Sequence, residues 1–390
     1  MRTNVRSFIA ATGAALLCLV AGFATAQQTL KIGVNLERTG SGASYGVHML
    51  LAAQIALEEI NAAQGVNGHK LELVVEDNRS SPEQAVIATR NLDSAGVFAM
   101  LGPIQSSQCR TAFPAANRAG LVAVSTGSGA PGLTAQNRPW TFRDAAIDQF
   151  IIDELVANLR KRYPQAKNVV AVVDPKDAYN SFLVKVVAPP ALEKNGFTLV
   201  NKDALIEIPN DVADFSVFVT RIKAMNPDVV LLGLLFEQGK GFLREANRQK
   251  LAMPMFAGLG YLTETVAEAA GPIDLWAGQP FDPNAADPKV QRFVQTFKTR
   301  AEKEMPGQYS TPTYIDAGAY ETMYILADAL RQANATPQST PKDVREKVRA
   351  HLAGLTSYLG LGNQLSINKD GDAVKPTLLY RSSGGRWVKL

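Results

Sequence analysis

Along this chain, short apolar runs alternate with longer segments in which apolar residues recur at helical spacing, the pattern of a parallel α/β architecture. Leu30 to Asn35 reads as a first strand, and Tyr45 to Ala63 as a helix with Val47, Leu51 and Ile55 on one face. Leu71 to Glu76 is the next strand. Ser81-Pro82-Glu83-Gln84 then opens a helix: Ser81 can cap it, Pro82 suits the first helical position, and Gln84 can reach back to the cap. Strands at Val97 to Leu101 and Leu121 to Val124, with a helix from Ser107 to Ala119 between them, complete a first half.

A second alternation follows: helix Gln149 to Arg162, strand Val169 to Val173, helix Ser181 to Asn195, strand Thr198 to Leu205. Phe215, Phe218, Val219 and Ile222 repeat at helical spacing. Val229 to Leu235 is apolar throughout, so both faces of that strand should be covered. Helix Gly241 to Gln249, strand Met255 to Ala257, helix Glu264 to Ala269 and strand Leu275 to Gln279 come next. The tail adds helices Pro288 to Glu304, Tyr314 to Gln332 and Pro341 to Leu352, with short strands near Leu365, Leu378 and Trp387. Two sheets are expected, with no solenoid-length repeat.

Two strands of the first half end in small polar loops, Leu101-Gly102-Pro103-Ile104-Gln105-Ser106-Ser107 and Val122-Ala123-Val124-Ser125-Thr126-Gly127-Ser128-Gly129. With one helix between them, both loops return to the same edge of a parallel sheet. Hydroxyls, unpaired N–H groups and a helix N-terminus then face one point, which suits a small anion held without a cationic side chain.

The N-terminus places that pocket outside the cytoplasm. Arg2 and Arg6, an apolar stretch from Phe8 to Phe23 and Ala24-Thr25-Ala26 before Gln27 form the pattern of a cleaved secretory signal over residues 1–26. As a membrane anchor the stretch is short, at about 16 residues against the roughly 20 that span a bilayer. Leu17 precedes Cys18, so a lipobox is not formed. The 390-residue chain is long enough for two domains, and its formal net charge of +4, with no basic run, gives no sign of a nucleic-acid or membrane-surface partner. Past the signal only Cys109 remains, which excludes an intrachain disulfide and reads as a buried, inert thiol.

Catalytic chemistry is hard to find. His48, His69 and His351 lack metal-ligand spacing, no Gly-x-Ser-x-Gly elbow occurs, and Ser366 to Lys369 matches Ser-x-x-Lys only in a turn. Gly127 to Gly132 satisfies the letters of the dinucleotide fingerprint, but Pro131, Gly132 and Pro139 discourage the helix which that motif must open. No enzyme activity, cofactor or metal is expected.

Lys31-Ile32-Gly33-Val34, Gly42-Ala43-Ser44-Tyr45-Gly46, Glu58-Glu59-Ile60-Asn61, Val66-Asn67-Gly68-His69-Lys70-Leu71, Ser81-Pro82-Glu83-Gln84-Ala85, Leu101-Gly102-Pro103, Ala130-Pro131-Gly132-Leu133-Thr134, Asp214-Phe215-Ser216, Asn226-Pro227-Asp228-Val229-Val230 and Phe242-Leu243-Arg244-Glu245-Ala246 stand in this order behind the signal. In these pieces the chain resembles the periplasmic solute-binding proteins of ABC importers, in the branched-chain amino acid (leucine/isoleucine/valine) family. The resemblance implies the type I periplasmic binding protein fold: two Rossmann-like lobes with parallel-core sheets, joined by a three-strand hinge and closing like a Venus flytrap. Lobe I would be residues 29–145 with 280–356, and lobe II residues 146–279 with 357–390. It also implies an inner-membrane ABC permease as partner and a monomeric state.

By position, the family's carboxylate site falls on Ser106 and on Gly127, Ser128 and Gly129, with Tyr45 and Tyr179 as its aromatic walls. Tyr261 is expected to flank the ligand side chain beside Tyr45, with Tyr314 and Phe236 as further walls. Two departures stand out. The loop that carries an acid against the ligand ammonium reads Gly258-Leu259-Gly260-Tyr261, and Leu234-Leu235-Phe236 stands where a tyrosine is common. An unpaired buried ammonium costs several kcal/mol, so another acid would have to serve, with Asp177, Glu237, Glu264 and Asp316 as candidates. The ligand stays open between a branched-chain or related amino acid and an aromatic or aliphatic carboxylate without an amino group. A ligand-sensing receptor domain is the rival function.

Overall fold

The computed structural model describes residues 28–146 and 148–390; the expected signal peptide lies outside the described residues. Both halves of the chain build a parallel sheet, and each does so for the reason the pattern gives. In the first, β1 (Leu30–Leu36), β2 (Leu71–Asp77), β3 (Ala99–Leu101), β4 (Ala123–Ser125) and β5 (Thr141–Arg143) run parallel in the order β2-β1-β3-β4-β5. The helices between them are α1 (Ala43–Ala62), α2 (Pro82–Ser94) and α3 (Ser106–Ala119). Ser81 caps α2 by accepting the Gln84 backbone N–H, and its hydroxyl meets Glu83; the expected reach of the Gln84 side chain is replaced by that contact.

In the second sheet the order is β16-β15-β11-β10-β9-β6-β7, with β8 also beside β6. Its parallel core is β6 (Asn168–Val173), β7 (Thr198–Leu199), β8 (Ile206–Glu207), β9 (Val229–Gly233), β10 (Met255–Ala257) and β11 (Leu275–Gln279). All five residues of β9 are buried, as a strand covered on both faces must be. Its helices are α4 (Asp148–Arg162), α5 (Ala178–Phe182), α6 (Ala188–Lys194), α7 (Ser216–Met225), α8 (Phe236–Arg248) and α9 (Glu264–Ala270). The expected strand Thr198 to Leu205 is interrupted by a turn and resumes at Ile206. Helix α8 starts five residues before Gly241 because Gly239 and Gly241 are packing positions: a Cβ there would lie 2.3 Å from the Tyr261 hydroxyl and 2.5 Å from the Phe215 ring.

The chain then returns. Helices α10 (Pro288–Glu304), α11 (Tyr314–Gln332) and α12 (Pro341–Ala353) follow, and α10 and α11 pack on α1 of the first lobe. The tail divides where the resemblance implied one piece. β12 (Tyr358–Leu359), β13 (Gln364–Ile367) and β14 (Ala373–Val374) form a small antiparallel sheet tied to the first lobe, since the Arg143 N–H donates to Gly371 O and Arg143 Nε to Asp372 at 2.6 Å. Only β15 (Leu378–Ser383) and β16 (Arg386–Lys389) join the second sheet, antiparallel at its edge. Three crossings therefore connect the lobes. At them Lys375 Nζ lies 2.6 Å from both Asp144 and Glu321, all three side chains almost fully buried. The carboxyl ends of both sheets face each other across the gap, where α/β folds place their ligands.

Candidate functional site

The loops of the first-lobe wall are fixed by buried polar side chains. Glu37, fully buried after β1, accepts the N–H groups of Ile104 (3.3 Å) and Gln105 (3.1 Å) and so sets the loop that starts α3. Burial pushes its carboxyl up to about 7 against the pull of those bonds. The loop after β4 is held from beneath: Ser125 Oγ accepts the Ser128 N–H at 3.2 Å, while Arg143 Nη1 donates to Ser128 O (3.0 Å) and Ala130 O (2.8 Å). Arg143 is wholly buried, and its Asp372 partner balances the charge. Between the loops, Ser106 Oγ accepts the Ala130 N–H at 3.2 Å. That bond leaves the hydroxyl hydrogen free to donate.

The second-lobe wall is made of side chains. Asp177 caps α5 by accepting the Asn180 N–H at 2.8 Å, and it reaches across the gap to Ser107, whose hydroxyl also accepts the Ala178 N–H at 3.0 Å. Burial, aided by neighbouring Asp174, raises the Asp177 carboxyl to about 6 although its hydrogen bonds pull the other way. Tyr179 donates to Asp148 Oδ2 (2.9 Å) and accepts the Leu259 N–H (2.7 Å). This pair crowds the start of the Gly258 to Tyr261 loop: a Cβ on Gly258 would lie 2.0 Å from the Tyr179 hydroxyl and 3.1 Å from Asp148 Oδ2. Asp148 itself is buried, with Oδ1 unpartnered and its carboxyl pushed up to about 6 by desolvation.

A cavity of about 30 Å³ lies between the walls, lined by Tyr45, Ser106, Gly127, Asp177, Tyr179 and Tyr314 among the expected residues. Ile104, Gln105, Leu234, Leu235, Leu259, Gly260 and Ile315 complete it. Tyr45 accepts the Phe236 N–H at 3.4 Å, so its own hydrogen is a second free donor, and Tyr314 donates to Gly127 O at 3.2 Å. The lining holds no His, Cys, Lys or Arg. An anion here is met by hydroxyl and main-chain donors.

Other expected residues stand behind the lining. Phe236 supports Tyr45 edge to face at 4.7 Å, and Tyr261 donates to Leu234 O from within the second-lobe core. The Ser128 side chain is buried without a hydrogen-bond partner, outside the lining. Gly129 lies against the Tyr179 ring, 2.5 Å from where its Cβ would be. Glu237 pairs with Lys240 at 2.7 Å and accepts from Ser44. Glu264 accepts from Ser310 and Thr311, and Asp316 closes the capping box of α11 with Thr313. None of these three acids lines the cavity, whereas Asp177 does.

Sequence reasoning missed Glu37, Gln105, Arg143 and Asp148. Arg143 and Asp148 lie near the first crossing, and neither belongs to a motif. Cys109 is buried, and burial pushes its thiol up to about 12. Among the described residues no acid, histidine and cysteine cluster suits a metal, and no helix is long and apolar enough to cross a membrane.

The chain and its fold have relatives. The family model for periplasmic binding proteins matches residues 29–386. An amino acid binding protein of Pseudomonas aeruginosa is 30% identical over 325 residues, covering 82% of each chain. The crystal structure of a leucine-binding protein of Thermotoga maritima superposes with a TM-score of 0.77 at 23% identity, covering 93% of this chain and 98% of that one. A solute-binding protein of R. palustris, solved with benzoate, gives 0.78 at 18% identity over 93% and 95% of the two chains. These relatives are binding proteins of transport systems, not enzymes. From Thr29 to Arg386, the chain belongs to the periplasmic binding protein family.

Proposed function

We propose that the protein, exported with cleavage near Ala26, captures a small carboxylate-bearing solute in the interlobe cleft as a monomer and delivers it to an ABC permease in the inner membrane. One observation carries this reading. The Ser106 hydroxyl, held as an acceptor by the Ala130 N–H, keeps a free donor at the cavity wall, at the first turn of a 14-residue helix. A helix N-terminus contributes up to about 2 kcal/mol to an anion in partly buried geometry, and each charge-assisted hydrogen bond about 1.5 to 3. Three or four such contacts with apolar burial offset association costs and reach the roughly 8 kcal/mol of micromolar binding.

The ligand class follows from Asp177, the single carboxylate in the lining. A branched-chain or related amino acid would set its carboxylate against Ser106 and its ammonium against Asp177, in keeping with the amino acid binding relative. A second reading, an aromatic carboxylate without an amino group, is supported by Tyr45, Tyr179 and Tyr314 around the cavity and by the lack of an acid in the Gly258-Leu259-Gly260-Tyr261 loop. The test is to incubate the purified protein with a mixed metabolite pool and identify what stays bound by native mass spectrometry. One retained carboxylate supports capture; a converted product contradicts it.

A further inference from the structure

The cavity at Ser106 is small for the solutes such a protein would carry. A cavity of about 150 Å³ accommodates benzene, and this one measures about 30 Å³. Isoleucine and benzoate are both larger than benzene. A solute with its head at Ser106 must therefore force the lobes apart or continue into other space.

Such space adjoins the cavity. An outer chamber of about 220 Å³ shares Gln105, Asp177 and Leu235 with it as a common wall. Its character differs. The inner cavity is walled by tyrosine, leucine and isoleucine, while the chamber is walled mainly by polar side chains, among them Gln108, Lys176 and Asn210. Lys176 is the single cation in that lining. Gln108 is only 2% exposed and its side-chain oxygen has no hydrogen-bond partner. A buried amide left unpaired is destabilising, so a polar group arriving beside Gln108 would relieve that cost. An amide can offer either its N–H or its oxygen by turning over.

We propose that the outer chamber is a second ligand subsite, and that the solute is an elongated carboxylate whose far end carries a second carboxylate or a carboxamide held by Lys176, Asn210 and Gln108. The proposal rests on the carboxylate-capture reading and adds the far end. The cleft then selects by length: a head at Ser106, an apolar middle beside Leu235, and a polar end in the chamber. Asp177, on the shared wall, faces any amino group carried next to the head.

Calorimetric titration of the mature protein tests this. The ligands are butyrate through octanoate, succinate through suberate, the ω-monoamides of the same diacids, and the α-amino forms of all three series. Within a length class the diacid or monoamide is expected to bind at least about tenfold tighter than the monoacid. Lys176→Ala should abolish the advantage of the diacids, and Asn210→Ala that of the monoamides. Both residues are exposed, so neither change threatens the fold, and monoacid affinity should be unaltered. Monoacids that bind as tightly as their extended counterparts, or an advantage that survives both substitutions, would overturn the subsite and leave capture intact. Failure of every one of these acids to bind would overturn the subsite, and failure of benzoate and leucine in the same titration would overturn capture as well.

Discussion

The two walls of the cleft do the same job by different means. On the first lobe the cavity wall combines Ser106 and the loop main chain with Tyr45 and Tyr314, and what fixes the loops is buried behind: Glu37 under the Ile104 and Gln105 amides, Arg143 under the carbonyls of Ser128 and Ala130. On the second lobe it is side chains, Asp177, Tyr179, Leu234 and Leu235, with no acid in the Gly258 to Tyr261 loop. On the proposed reading, the head group is gripped by loops that buried polar partners hold in place, and the solute is chosen by side chains on the opposite wall.

Substitutions can break this contrast. The largest effect is expected from Arg143→Ala, which leaves Asp372 as a buried unpaired charge and frees two carbonyls; breaking a buried pair costs about 3 to 5 kcal/mol. Urea unfolding should show that loss, and a change below about 1 kcal/mol would mean that the arginine does not fix the wall. Gly129→Ala comes next. Its φ is not positive, so the first lobe should fold normally, but the new methyl would meet the Tyr179 ring at 2.5 Å and oppose closure. Affinity is expected to fall at least about tenfold, or 1.4 kcal/mol, with unfolding stability unchanged.

A pH series sharpens the second wall. Asp177 in the free protein sits near 6, and an ammonium needs it ionised. Affinity for an amino acid should then fall about tenfold per unit as pH drops below 6, because binding must expel the proton. A carboxylate without an amino group should bind more tightly in the same range, since a neutral Asp177 no longer repels it. Asp177→Asn should flatten either profile in calorimetry, and a slope that persists would place the titrating group elsewhere. The smallest effect is Ser106→Ala, expected to weaken any carboxylate by about 1 kcal/mol; an unchanged Kd would remove the serine from the site.

The sequence pattern shows the scaffold better than the selector. Long periodic segments with chemical stops, such as the helices opened by Ser81-Pro82 and Thr340-Pro341, appear within a residue or so of their expected bounds. β5, β12 and β14 were not read: at two or three residues they carry no period of their own, and none stands between two α-helices as the equally short β10 does. Helix α8 looked broken by Gly239 and Gly241, which serve instead as seats for the Tyr261 and Phe215 rings. The predicted helix Ser181 to Asn195 begins at Ala178 under the Asp177 cap and loosens to a π turn over Leu183–Val187, just before Pro189 and Pro190. Proline brings no N–H to the helix ladder, which favours such a break. At the site, Ser106 and Gly127 were legible because loop chemistry follows a strand end. Asp148 was not, since it looks like any acid in a first helical turn, and its partnership with Tyr179 spans 31 residues and exists only in three dimensions.

The account depends most on where the head group lies. A crystal structure of the protein with the solute it retains should place a carboxylate oxygen within hydrogen-bonding distance of Ser106 Oγ, between the loops after β3 and β4. A head group held by the second lobe instead, with Ser106 still bonded only to Ala130, would contradict it.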